Sequence, residues 1–235
     1  MNFVPFLRAV ALALSGLAFS AHVFAAASTT FSFVGVGDPS ASSVNVATGM
    51  ASLSVDVIDL GVAVSGNNQV AFRFTNTSGS SLTDVYFDDG ALLGISSISD
   101  SGTTVDFSKL ASPGNLPAGN NLTPGFTSTA GFSADSNPPA SPNGVTSREW
   151  LTITFDLQSG KDYWSVIDAL ALPNGGGTGD LRIGLHVQSF ADGGSESFVN
   201  APDGISAPVP EAKTYAMMFA GLGLVGFTVL RRRGA

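Results

Sequence analysis

The sequence contains no cysteine and few charged residues. Because none of its 235 residues is cysteine, a disulfide scaffold, a thiolate zinc site, an iron–sulfur cluster and a cysteine nucleophile are excluded. Charged residues make up 12% of the chain and hydrophobic residues 44%, unlike the composition of a disordered chain. Basic residues number 10 against 18 acidic ones, whereas a nucleic-acid surface needs clustered lysine and arginine. We therefore expect a folded protein that does not bind nucleic acid.

Residues 1–25 have the pattern of a secretory signal peptide, formed as a short helix. Arg8 is their only charge, residues 9–19 are apolar, and small residues gather at positions 25–27. An apolar run this short does not reach the about 20 residues of a membrane-spanning helix, which disfavours the alternative of a short membrane anchor. We predict cleavage by signal peptidase after Ala25, with cleavage after Ala27 as the alternative, and export of the rest of the chain.

Residues 213–230 are predicted to form a transmembrane helix. Its last 16 residues carry no charge and would span about 24 Å as a helix. Apolar side chains surround this helix, so it has no polar face that would suit a helix of a globular domain. Three arginines follow it: Arg231, Arg232 and Arg233. Since basic clusters stay on the cytoplasmic side, residues 26–208 are expected to face outward.

A short motif precedes the predicted helix and consists of Val209, Pro210 and Glu211. The motif, the Gly-rich apolar segment and the arginine cluster together make residues 209–235 resemble the PEP-CTERM sorting signal of exported bacterial proteins. In that family the motif is Pro-Glu-Pro, and Ala212 replaces its second proline here. The resemblance implies recognition by an exosortase, a membrane-embedded transpeptidase-like enzyme. It also implies removal of the helix from the mature surface protein.

Residues 26–208 are expected to form one exported domain. They hold five basic and 17 acidic residues, a net charge of −12, which repels anionic polymers. Two stretches of this domain, residues 150–157 and 182–200, resemble a group of uncharacterised exported proteins that carry the same tail. That resemblance implies no activity.

Alternation of apolar and polar residues predicts at least eight short strands. The clearest segments are residues 151–157 and 181–188, in which every second residue is apolar. Frequent glycine and serine turns separate such segments. The pattern favours an all-β fold, an antiparallel β-sandwich of jelly-roll-like type. One short connecting helix is predicted at residues 162–172, where apolar residues recur at helical spacing.

Residues 111–147 are the least regular part of the domain. They contain six of the 12 prolines and a single charge, Asp135. Because a structureless loop of this length is unusual inside a compact domain, we expect Phe126 and Phe132 to pack part of it down as an irregular edge strand.

No catalytic site is predicted. We interpret His186, the only histidine of the domain, as an exposed structural residue on the polar side of its strand. A zinc or iron site would lack a second imidazole, and no Gly-x-Ser-x-Gly motif presents a nucleophile for a triad. A glycosidase needs two carboxylates about 5–10 Å apart, and the only two glutamates of the domain, Glu149 and Glu196, form no such pattern.

Carboxylates near two turns are candidate calcium ligands. They are Asp84, Asp88 and Asp89 at a strand end, and Asp192 and Glu196 on either side of a Gly-Gly turn. Such oxygen ligands suit calcium in extracellular modules. No EF-hand and no nonapeptide repeat supports the site, so we favour solvated acidic turns and predict neither a metal nor a cofactor.

The sequence thus predicts a non-enzymatic cell-surface or extracellular-matrix protein whose precursor is anchored in the inner membrane and faces the periplasm. Its expected partners are signal peptidase, the export machinery, an exosortase and the membrane, with an exopolysaccharide as a further candidate. The first alternative is a carbohydrate- or matrix-binding module, calcium-braced or not, and the second is a secreted glycan hydrolase. A binding module would show exposed aromatics on one sheet face. The candidates are Tyr86, Trp150, Tyr163 and Trp164.

Overall fold

The computed structural model describes residues 26–88, 90–102, 104–172 and 180–202. Their strands are β1 (Ser28–Gly35), β2 (Leu53–Val62), β3 (Asn68–Asn76), β4 (Ser81–Asp88), β5 (Leu92–Asp100), β6 (Phe107–Lys109), β7 (Ser133–Ser136), β8 (Trp150–Leu157), β9 (Arg182–Gln188) and β10 (Ser195–Asn200). Their helices are α1 (Ser43–Ser52), α2 (Ala140–Asn143) and α3 (Tyr163–Leu170), with one 3-10 turn at Gly119–Asn121. The predicted signal peptide and sorting signal lie outside the described residues.

All ten strands form one antiparallel sheet in the order β5-β8-β3-β2-β1-β10-β9-β4-β7-β6, and the expected all-β fold is confirmed. Strand β1 is shared between two parts of this sheet. Residues 28–32 pair with β2, whereas residues 33–35 pair with β10. We call β5, β8, β3 and β2 the first half-sheet, and β10, β9, β4, β7 and β6 the second half-sheet.

The sheet curves until its two ends meet, which makes it nearly barrel-shaped. Strands β5 and β6 are the two edges of the sheet order, yet Nζ of Lys109 on β6 donates to the carbonyl of Ile95 on β5 at 2.6 Å. Such an approach protects edge strands that would otherwise offer unpaired backbone groups to other chains.

The core lies between the two half-sheets and consists largely of phenylalanine. Phe87 of the second half-sheet contacts Phe72 and Phe155 of the first, with ring centroids 5.0 and 4.7 Å apart in edge-to-face geometry. All three side chains are fully buried. Because edge-to-face aromatic pairs add stability beyond the area that they bury, this cluster fixes how the half-sheets face each other.

Each end of the barrel is closed by a helix. At the α3 end, where β1 begins and β2 ends, Tyr163 and Thr29 share a hydrogen bond of 2.6 Å between their hydroxyl oxygens. The side-chain amide of Asn200 donates there to the carbonyl of Leu170 at 3.3 Å. At the opposite α1 end, helix α1 connects β1 to β2.

The predicted helix at residues 162–172 is confirmed as α3, which begins after its N-cap Asp162 and ends at Leu170. The expectation of a single helix is wrong, because α1 and α2 are also present. Helix α1 packs against β10 through Gly49, where a side-chain methyl group would overlap the ring of Phe198. A close approach of this kind is specified by a partner 149 residues further along the chain, which explains why local periodicity did not reveal the helix.

The proline-rich segment (residues 110–132) covers the outer face of the second half-sheet. Leu116 and Phe126 are buried against Tyr86 and Val199 of that face in a small cluster separate from the core. The expectation of an edge strand is wrong: the strand that forms in this region is β7, which follows Phe132 and lies between β4 and β6. Strand β4 is therefore buried on both faces.

None of the helices in the described ranges is long and apolar enough to span a membrane. The predicted span at 213–230 lies outside those ranges and stays a prediction.

Candidate functional site

Three titratable side chains meet on the outer face of the second half-sheet. Asp84 of β4 lies opposite Asp135 of β7 on one side and opposite His186 of β9 on the other. Their neighbours Val85 and Leu185 are buried in the core, so the three polar side chains point the other way. Nδ1 of His186 is 2.9 Å from Oδ2 of Asp84. We call this group the Asp84 cluster.

The carboxylate of Asp84 affects the ionisation of its neighbours Asp135 and Tyr86. Burial and the neighbouring carboxylate of Asp84 raise the pKa of Asp135 from 3.8 to about 6, because two adjacent carboxylates resist carrying two charges. Burial, followed by Asp84 and then Asp135, also raises the pKa of the Tyr86 hydroxyl. That hydroxyl stays protonated and donates to the carbonyl of Pro113 at 3.0 Å.

The expectation that His186 is exposed is wrong. Its side chain is only 14% exposed and that of Asp84 only 4%. Ser197 of β10 lies opposite His186, yet among the described residues no hydrogen bond joins their side chains. The contact that would activate a serine nucleophile is therefore missing from this row of Asp84, His186 and Ser197.

Asp88, one of the calcium candidates, is paired with an arginine. Nε of Arg182 donates to Oδ2 of Asp88 at 3.0 Å, and a second guanidinium nitrogen bonds the same oxygen. The guanidinium also donates to the carbonyls of Pro124 and Gly125 at 2.7 and 2.9 Å. It lies over the ring of Phe126 at 5.2 Å. Arg182 thus holds the proline-rich segment on the sheet.

The remaining calcium candidates are separated from each other. Oε1 of Glu196 accepts from the backbone N–H of Ser42, the N-cap of α1, at 2.8 Å, whereas Asp192 is exposed in the preceding turn. Asp89 lies outside the described residues. No group of three or more histidine, aspartate or glutamate side chains in the described part of the chain is arranged to hold a metal ion. The structure therefore brings Asp84 together with Asp135 and His186 rather than with the other described calcium candidates.

The two glutamates of the domain also have separate structural roles. Oε2 of Glu149 accepts from the backbone N–H and the hydroxyl of Thr146 at 2.8 and 2.7 Å. Burial opposes ionisation, but these bonds and one from Thr104 lower the pKa of Glu149. Glu196 caps α1, as described above. Neither faces the other across a cleft as a glycosidase pair would.

The four aromatic candidates divide into buried and exposed pairs. Tyr86 and Tyr163 are buried and serve packing. Trp150 lies half-buried on the outer face of the first half-sheet, and the guanidinium of Arg73 lies 4.6 Å from its ring centre. Trp164, on the first turn of α3, is 57% exposed.

A mostly apolar groove of about 570 Å³ lies at the α1 end, between α1, β1 and β10. Val34, Val46 and Met50 line it, and Ser197 is the residue that it shares with the row containing Asp84 and His186. This groove was not predicted, because the helix α1 that forms one of its walls was not predicted.

Two important residues, Asp135 and Arg182, were not among the predicted site residues. Asp135 lies in β7, just after the proline-rich segment, and Arg182 lies 94 residues after Asp88 in the sequence. Only the pairing of β4 with β7 and β9 brings them to the site. Alternation within one strand indicates a face but not the neighbouring strand.

Comparison of the chain with known protein families, with curated proteins and with solved structures finds no match.

Replacing Arg182 with methionine should lower the free energy of unfolding by about 3–5 kcal/mol, because Asp88 would keep a buried charge without its partner. The matched control is Arg73→Met, which removes an exposed guanidinium from Trp150 and should cost less than about 1 kcal/mol. Urea unfolding of both variants measures the difference. Equal losses would contradict the role given to Arg182.

Replacing Asp135 with asparagine should remove one component of the pH dependence of stability. The folded protein holds the Asp135 proton more tightly than the unfolded chain does, so this residue's contribution is complete below pH 3.8 and is lost as the pH rises through about 6. The melting temperature of Asp135→Asn, minus that of the wild type, should therefore increase between these pH values and stay constant above them. A difference that stays constant across this pH range would refute the coupling.

Proposed function

We propose that this chain is an exported bacterial surface or extracellular-matrix protein with a non-enzymatic domain, sorted by its C-terminal signal. The observation that carries the proposal is the order of features at residues 209–235: the motif Val209-Pro210-Glu211, an uncharged apolar segment and three arginines. In this proposal the precursor is anchored in the inner membrane by residues 213–230. An exosortase then releases the domain from its periplasmic side to the surface.

The start of the folded domain supports signal peptidase cleavage after Ala25. The carbonyl of Ala27 accepts from the backbone N–H of Asp59 at 2.8 Å, and Ala27 packs against the core. Cleavage after Ala25 keeps both interactions, whereas cleavage after Ala27 removes them. A mature N-terminus at Ala26 therefore leaves β1, which begins at Ser28, complete.

We further infer that the two half-sheets act as the two layers of a jelly-roll-like sandwich. The contacts of Phe87 with Phe72 and Phe155 across the core support this finer description of the all-β fold. Sandwiches with closed or covered edges suit a protein exposed to the outside, since they leave few strands open to aggregation.

A specific surface favours the second candidate, a carbohydrate- or matrix-binding module. The outer face of the first half-sheet, together with the part of β1 that pairs with it, carries nine serine and threonine side chains around Arg73 and Trp150. They are Ser28, Thr30, Ser32, Ser54, Thr75, Ser97, Ser99, Thr152 and Thr154. Hydroxyl groups on a sheet beside one aromatic ring suit a neutral polyhydroxylated chain, which an acidic domain would not repel as it repels anionic polymers. An exopolysaccharide is the partner expected for this face.

The sorting signal is tested in cells that contain the cognate exosortase. Glu211→Ala should leave the protein in the membrane fraction, whereas the wild type should reach the surface or medium. Replacing Arg231, Arg232 and Arg233 with serine should weaken membrane retention. Asp203→Ala removes an acidic residue outside the motif and should behave as the wild type, and fractionation followed by immunoblotting reports all four. Normal release of Glu211→Ala would contradict the proposal.

The glycan surface is tested by native electrophoresis in gels that contain the exopolysaccharide of the producing strain. Trp150→Ala should abolish the retardation of the wild type, because the ring supplies the apolar contact of the face. Trp164→Ala, which removes the other tryptophan, should migrate as the wild type does. Equal retardation of both variants would exclude this face as the binding site.

A further inference from the structure

The α3 end of the barrel is the apolar end of the molecule. Six of the nine large hydrophobic side chains exposed in the described residues lie there: Leu60, Val62, Val64, Leu93, Trp164 and Leu172. Their positions follow from the register, since the ends of β2 and β8 and the starts of β3 and β5 all meet at this end.

The β2–β3 hairpin and α3 place these side chains close together. Val62 pairs with Asn68 at the base of the hairpin, and the side-chain amide of Asn68 donates to the carbonyl of Lys161, just before α3, at 2.8 Å. Val62 is 70% exposed and Val64 fully exposed. Trp164 is exposed on the first turn of α3, although its neighbour Tyr163 is buried. Exposed apolar side chains grouped on one part of a surface mark an interaction site.

The described chain begins at the α3 end, and its last strand, β10, runs toward that end and finishes beside the middle of β1. Ala27 is bonded to Asp59 beside the end of β2, and the backbone N–H of Ala201 donates to the carbonyl of Ser32 at 2.9 Å. The chain then runs from Pro202 toward residue 215, where the uncharged apolar segment begins. Thirteen residues reach at most about 45 Å when fully extended, so Pro202 stays within that distance of any membrane that holds that segment.

The charges at the α3 end bear on the kind of membrane that it suits. Asp59, Asp162 and Asp168 are acidic residues of this end. Lys161 is exposed there, whereas the guanidinium of Arg182 is paired with Asp88. The excess of acidic groups disfavours an anionic lipid surface, and the exposed valines and tryptophan suit the interface of a zwitterionic one.

We propose that the α3 end docks on the bilayer in the anchored precursor, with Val62, Val64 and Trp164 inserted at the interface. This inference rests on the proposed anchoring by residues 213–230 and adds an orientation to it. Docking holds the chain after Pro202 near the membrane surface. The motif at Val209, Pro210 and Glu211 then stays within reach of an embedded exosortase, and release of the tail frees the domain from the surface.

The two tryptophans of the chain provide a test with an internal control. Trp150 begins β8 at the α1 end, seven residues before Leu157 at the α3 end, which is about 23 Å along the strand. Residues 26–235 are reconstituted in phosphatidylcholine vesicles whose acyl chains are brominated near the glycerol. Trp150→Phe reports Trp164 alone, and Trp164→Phe reports Trp150 alone. We expect the bromine to reduce Trp164 emission at least by half and to leave Trp150 emission unchanged.

A second pair of variants tests the inserted side chains. Val62→Ser combined with Val64→Ser, in the Trp150→Phe background, should restore most of the Trp164 emission while the protein still sediments with the vesicles. Val44→Ser combined with Met50→Ser removes exposed apolar side chains from α1 and should change nothing. If the protein sediments with the vesicles but the bromine reduces the emission of both tryptophans equally, the docking alone is overturned. A protein that does not sediment overturns the anchoring, and the docking with it.

Discussion

Strand β1 is the constraint on which the rest of the structure depends. Its first part pairs with β2 and its last part with β10, so one short strand joins the two half-sheets. Phe31 and Phe33 fill the core from it. Where β1 leaves β2, α1 fills the opening and contacts Phe198 through Gly49. A single shared strand thus fixes the curvature of the barrel, the place of α1 and the end at which the folded chain begins.

How much of the fold could be predicted depends on what covers each strand. Strand β8, Trp150–Leu157, is buried on one face only, so alternation revealed it directly. Strand β4, Ser81–Asp88, is buried on both faces because the proline-rich segment covers its outer side. Helix α1 depends on Gly49 meeting Phe198, a contact that no local pattern contains. Local chemistry therefore indicated the strands and α3, whereas contacts between distant segments determined the remainder.

The candidate site illustrates the same limit. Asp84 and Asp88 were expected in solvated acidic turns, with calcium binding as the less favoured alternative, yet both are buried on β4. Their partners, His186 and Arg182, lie about a hundred residues away in the sequence. His186 was expected to be exposed, and Arg182 was not among the predicted site residues. The register between β4 and β9 pairs these two calcium candidates with other side chains, Asp84 with His186 and Asp88 with Arg182. Tyr86 and Arg182 both hold the proline-rich segment on the sheet, Tyr86 through the carbonyl of Pro113 and Arg182 through that of Pro124.

We propose that this nearly barrel-shaped domain acts outside the cytoplasm. The chain has no cysteine, and its last described strand, β10, runs toward the apolar α3 end before the chain continues to the proposed sorting signal. The most direct test is mass spectrometry of the C-terminus of the mature surface protein. We predict that its last peptide ends at or before Glu211 and that no peptide covers residues 212–235. An intact C-terminus at Ala235 on the surface protein would contradict the central claim.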